Sequence, residues 1–125
     1  MQISLDRGTG SFAISAYGDG FVIVNEQRIE TSCIVMPEHL STDWPPQRST
    51  ELESAHMADV AAHGAEIIIV GTGATQVFPS PDVLAPLVTH GVGFEIMDTR
   101  AACRTYNILM AEGRNVVAAL IMIAR

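Results

Sequence analysis

Gly91-Val-Gly-Phe-Glu-Ile-Met-Asp-Thr-Arg100-Ala-Ala-Cys-Arg-Thr-Tyr-Asn-Ile-Leu-Met110-Ala-Glu-Gly-Arg-Asn115-Val-Val-Ala-Ala-Leu120-Ile-Met-Ile-Ala-Arg125 decides the fold. It reads as a strand, a helix and a strand with almost no slack between them. Phe94 to Met97 is the first strand. Asp98 or Thr99 caps the helix, because a short side-chain oxygen accepts from the free N–H groups of the first turn. Ala102, Tyr106, Leu109 and Gly113 recur at helical spacing and form the face expected to pack on a sheet. Gly113, free to take a left-handed conformation, ends the helix. Val116 to Ala124 is an unbroken apolar run. It falls well short of the roughly 18 residues of a membrane span, so it reads as a strand buried on both faces.

Working back from that unit, Ser80-Pro81-Asp82 is a strong helix start, with Ser as cap and Pro at the first helical position. Leu84, Leu87 and Val88 are expected to face inward, and His90-Gly91 stops the helix. Glu66 to Val70 is a buried strand, broken by Gly71-Thr72-Gly73 and followed by a loop over Ala74 to Pro79. Thr50-Glu51-Leu52-Glu53 has the form of a capping box, opening an Ala-rich helix that runs to about His63, before Gly64. Upstream, Pro37 to Ser49 is a loop around Trp44-Pro45-Pro46. The N-terminal part is β-rich. Gly18-Asp19-Gly20 and Asn25-Glu26-Gln27 are turns between short apolar runs, the last running back over Arg28 to Met36, with a further edge strand expected at Gln2 to Leu5. A β-meander followed by alternating helices and strands predicts an α/β domain with a mostly parallel sheet.

One domain accounts for residues 1–125. The net charge of -7 argues against nucleic acid and against an anionic membrane surface, since both need a surplus of basic residues. All seven basic residues are Arg. Without Lys there is no Schiff base, no lysine general base and no Walker-type phosphate lysine. Arginines in so acidic a chain are expected in ion pairs or on carboxylates. Cys33 and Cys103 stand far apart without zinc spacing, which suits a reduced cytoplasmic protein with two buried thiols. The N-terminal Met-Gln-Ile-Ser-Leu-Asp-Arg has neither an apolar signal core nor an Arg-rich presequence. No membrane insertion is expected. The mean hydropathy of +0.27 in a small chain points to apolar surface to be covered, as in a homo-oligomer.

Candidate chemistry is sparse. The backbone amides of Gly71-Thr72-Gly73, at a strand end, offer an anion site, with Arg100 or Arg104 as its charge and Glu95 and Asp98 nearby. The plainer reading is a strand-ending turn beside a set of ion pairs. Cys103 lies between Arg100 and Arg104 near a helix N-terminus, where a thiol pKa falls, but no base accompanies it. His56, Asp59 and His63 share a side of the first helix. His56 and His63 are about 10.5 Å apart along the axis, too far for one metal, so a solvated face fits better. Trp44 either plugs one end of the core or contacts a partner. Tyr106 reads as core with a tied hydroxyl. No catalytic residue and no cofactor is assigned.

Gly71-Thr72-Gly73, Glu95, Met97-Asp98-Thr99, Ala102, Thr105-Tyr106-Asn107, Leu109, Glu112-Gly113-Arg114 and Ala118-Ala119-Leu120 together resemble the Mth-like domain family. Tyr17-Gly18-Asp19-Gly20-Phe21, Asn25 and the Trp44 loop fit it as well. The resemblance implies a three-layer α/β fold, with a central mixed sheet flanked by helices and by the N-terminal β-meander. It implies no established activity or cofactor, and protein–protein roles among eukaryotic members, one of them a respiratory complex I assembly factor. The expectation is therefore an interaction or assembly protein with another protein as partner, in a respiratory or membrane-associated complex. The alternative is a small anionic-ligand binder or enzyme using the Gly71 loop.

Overall fold

A computed structural model describes residues 11–124. The expected strand over Gln2 to Leu5 lies outside these residues. The chain opens with an antiparallel meander of β1 (Ile14–Gly18), β2 (Phe21–Val24) and β3 (Gln27–Ile29). Gly20, at φ +83°, lets β1 reverse into β2. The Phe21 ring lies so close to Gly18 that a Cβ there would sit 2.6 Å from it, and the Arg28 guanidinium stacks 4.0 Å over the same ring.

The expected strand from Arg28 to Met36 is two strands in two sheets. β3 ends at Ile29, and β4 (Cys33–Met36) begins the second sheet. The polar residues Glu30-Thr31-Ser32 carry the chain between them, and Arg28 and Glu30 pair on the surface at 2.6 Å. β5 (His39–Ser41) returns along β4.

The second sheet takes the order β5-β4-β8-β6-β7, with β6 (Ile67–Thr72), β7 (Gly93–Met97) and β8 (Val116–Ile121). β6 is parallel to both β7 and β8, while β4 runs antiparallel to β8. The sheet is therefore mixed, with its parallel strands contributed by the alternating half of the chain. Period-two alternation divides its side chains between two cores. Cys33, Val35, Ile69, Val116, Ala118 and Leu120 face the meander and α3 (Thr99–Ala111). Ile34, Ile68, Val70, Val117, Ala119 and Ile121 face α1 (Ser54–Ala61) and α2 (Pro81–His90). Three layers result.

Several local expectations are corrected. The Thr50 capping box does not form. Ser49–Glu51 is a single 3-10 turn, and the extended, buried Leu52 dips into the core before α1 starts. The box forms three residues later, where the Glu53 carboxylate accepts from the His56 backbone and the Glu53 N–H donates to His56 Nδ1 at 3.0 Å. β6 continues through Gly71 and Thr72, which pair with β8, so the strand breaks only at Gly73, φ +97°. Val88 is 65% exposed. The buried stripe of α2 centres on Leu87 between Val83 and Leu84, and at about 100° per residue Val88 falls at its rim. The buried face of α3 is Ala102, Cys103, Tyr106 and Met110, with Leu109 half-buried, whereas Gly113 is the exposed left-handed residue beyond the helix. β8 stops at Ile121. Ile123 then makes an isolated parallel bridge with Asp19, and its carbonyl accepts from Gly20 N–H at 2.7 Å.

Candidate functional site

The carboxyl ends of β6, β7 and β8 meet the first turn of α3, the region where open α/β sheets form crevices. Thr99 organises one side of it. Its buried hydroxyl donates to Ile121 O at 2.6 Å and accepts from Gly73 N–H at 2.8 Å, while its own N–H donates to Gly73 O at 2.9 Å. One side chain thus ties α3 to β6 and β8. Gly71 lies beneath this knot. A Cβ there would be 2.9 Å from Thr99 Oγ1 and 3.1 Å from both Ala102 Cβ and Leu120 Cδ2. Glycine at this position permits close approach of helix and sheet. Thr72 closes the next turn, donating to Thr75 O at 2.6 Å and accepting from Val77 N–H at 3.0 Å.

The sequence-derived candidates are distributed around this point. Gly71, Thr72 and Gly73 do lie against the first turn of α3, but the Gly73 amide is already taken by Thr99. Asp98 is the N-cap of α3 and accepts from Ala101 N–H at 3.0 Å. Glu95 is exposed on β7, the edge strand. Arg100 turns to the meander and pairs with Asp19 at 3.1 Å. Arg104 donates to the Tyr17 hydroxyl at 3.0 Å, a contact that raises its pKa. Further along α3, Asn107 receives Ile14 N–H and donates to Ile14 O, at 2.9 and 2.7 Å, and the Tyr106 hydroxyl donates to Phe12 O at 2.6 Å. The polar residues of α3 therefore hold the meander in place.

Trp44 is only 2% exposed and plugs the core under α1, its ring edge-on to His56. That burial leaves little of the ring exposed for the alternative role of contact residue. His56 serves the helix cap, and His63 packs its ring against His39 at 5.6 Å. Cys103 is buried, and desolvation pushes its thiol up to about 12 against the opposing pull of Arg104. Cys33 is likewise pushed up to about 12, by burial and then by Cys103. Neither is an activated nucleophile at neutral pH.

Two features were not visible in the sequence. One is a cleft of about 230 Å³ beside Gly73, lined by Gln47, Arg48, Ser49, Thr72 to Thr75, Ile121, Met122 and Ala124. Glu95, Asp98, Arg100 and Arg104 do not line it. Arg48 comes from the Trp44 loop, too far off in sequence for spacing to connect the two. The other is an exposed apolar set that follows β6, with Phe78 at 67%, Val88 at 65% and Val77 at 39% exposure. No described helix is long and apolar enough to cross a membrane.

A model of the family described as a protein of unknown function (DUF498/DUF598) matches residues 14–121. The chain is 32% identical over 119 residues to NADH dehydrogenase (ubiquinone) 1 alpha subcomplex assembly factor 3 of Xenopus tropicalis, covering 94% of this chain and 65% of that one. It therefore spans less than two thirds of the assembly factor's length. It is 34% identical over 65 residues to the 13 kDa major membrane protein of Francisella tularensis, covering 52% of this chain and 53% of that one. The solution structure of a Bordetella pertussis protein described as an Mth938-like domain superposes with a TM-score of 0.82 at 34% identity, covering 99% of this chain and 94% of that one.

Proposed function

The chain belongs to the DUF498/DUF598 family of proteins of unknown function, and from that premise we propose that it works by contact with another protein, as an assembly-type interaction domain. The likeness to an assembly factor over nearly the whole chain carries this reading. The partner is a protein of a respiratory or other membrane-associated complex, met from the cytoplasm. The name of the Francisella relative supports a membrane-associated setting.

The surface assigned to this contact is the segment after β6. Phe78 and Val77 stand exposed on the loop over residues 74–79, and Val88 stands exposed on α2. Large apolar side chains held out of the core favour burial against a partner, and an aromatic anchor such as Phe78 carries much of the affinity at such surfaces.

The test is affinity capture of the tagged protein from its own cells, with membranes gently solubilised and partners read by mass spectrometry. The expected result is a reproducible partner from a membrane-associated complex, retained by the wild type and lost by a Phe78→Ser, Val88→Ser double variant. Capture of nothing specific, or of copies of the chain alone, would sink the reading.

A further inference from the structure

We infer that the cleft beside Gly73 is a binding site for a small monocarboxylate bearing a short apolar group, with Arg48 as its anchoring cation. This inference does not rest on the protein-contact reading. Its first support is charge. Of the described arginines, Arg28 pairs with Glu30, Arg100 with Asp19 and Arg114 with Glu66, and Arg104 holds the Tyr17 hydroxyl. Arg48 lines the cleft, and among the described residues its guanidinium has no partner. A guanidinium presents a planar fork that matches a carboxylate in two parallel hydrogen bonds.

The second support is rigidity. Gln47, just before Arg48, is fixed at three points. Its side-chain oxygen accepts from Ser32 N–H at 3.3 Å, its side-chain nitrogen donates to Trp44 O and Pro45 O at 3.3 and 3.2 Å, and its backbone N–H donates to Glu51 Oε1 at 2.8 Å. Glu51 N–H and Leu52 N–H return to Arg48 O and Ser49 O. With Trp44 locked in the core, the loop bearing Arg48 is held in place before any ligand arrives, which lowers the ordering cost of binding. The opposite wall is fixed by the Thr72 and Thr99 hydrogen bonds.

The third support is the lining. Ile121, Met122 and Ala124 supply an apolar side, while Ser49 and Thr75 supply polar groups. At about 230 Å³ the cleft is below the roughly 300–1,000 Å³ of drug-sized sites. One Arg in a chain of net charge -7 suits a single negative charge better than the double charge of a phosphate monoester. A short free acid and the C-terminal residue of a peptide share this chemistry.

The experiment is a titration of the isotopically labelled protein, followed through backbone amide chemical shifts. The probes are butyrate, its neutral isostere butyramide, inorganic phosphate, and the peptide acetyl-Ala-Val with a free or an amidated C-terminus. Butyrate, the free-acid peptide or both are expected to shift the amides of Arg48, Gly73, Ala74 and Thr75 saturably, while their neutral counterparts do not. The tighter of the two ligands identifies the source of the carboxylate. Arg48→Gln should weaken binding by about tenfold or more, with the rest of the spectrum unchanged, and Arg104→Gln should bind as the wild type does. Equal shifts with butyrate and butyramide, stronger binding of phosphate, or undiminished binding by Arg48→Gln would overturn the assignment.

Discussion

Residues 71–73 and residues 74–79 adjoin in sequence and differ in how far their side chains are buried in the fold. In the first, each group is committed. Gly71 admits Ala102 and Thr99, Gly73 exchanges hydrogen bonds with Thr99, and Thr72 closes the turn. In the second, Val77 and Phe78 project from the fold. The sequence motif that looks most like a site is thus the joint of the structure. The segment beside it, without any motif, carries the exposed apolar side chains to which we assign partner contact. A short run of glycine and threonine satisfies its own polar groups best when it is structural, so saturation separates scaffold from site here better than residue type does.

The largest effect should come from breaking the joint. Thr99→Val keeps the shape but leaves Gly73 N–H and Ile121 O buried without the hydroxyl, at about 1–3 kcal/mol for each orphaned group. Thermal or denaturant unfolding measures the loss, and a melting temperature near wild type would contradict it. Next, Gly71→Ala forces a methyl against Thr99, Ala102 and Leu120 and should cost about 1–3 kcal/mol by overpacking, read in the same unfolding curves.

Alkaline pH probes the core between the sheet and α3. Both thiols are raised in the folded state, from 9.0 to about 12. Above about pH 9 the unfolded chain ionises first and binds fewer protons than the folded one, so stability falls as pH rises from about 9 towards 12. Urea midpoints across that range should decline. They should decline less steeply in a Cys33→Ala, Cys103→Ala variant, and identical slopes would remove the attribution. Glu66 titrates in the opposite sense. The Asn115 N–H and then Arg114 lower its pKa, so its contribution is present above the ordinary carboxylate pKa and fades as pH falls through the folded one. Its exposure keeps this effect small.

The smallest stability effect belongs to the free segment. Phe78→Ser should alter unfolding by no more than about 0.5 kcal/mol, as for other surface changes.

Much of this fold is written in local pattern. The Pro81 helix start, the Asp98 cap and the β7-α3-β8 unit follow from capping chemistry and periodicity. The errors arise where tertiary packing overrides local preference. Leu52 finds the core and delays a helix that Thr50 is equipped to begin, and Glu30 to Ser32 change sheets inside an apparently continuous strand. Arg100 and Arg104 were legible as helix neighbours, but which way they turn depends on the meander, joined to α3 only in space. Arg48 and Gly73 were each visible, and their meeting was not, because a loop and a strand end distant in sequence share no periodicity.

The most direct measurement is partner capture with Phe78→Ser at a temperature well below the melting temperatures of both the variant and the wild type. The expected result is a folded variant that no longer retains the partner. A folded variant that retains it as well as the wild type would contradict the claim that the segment after β6 is the working surface.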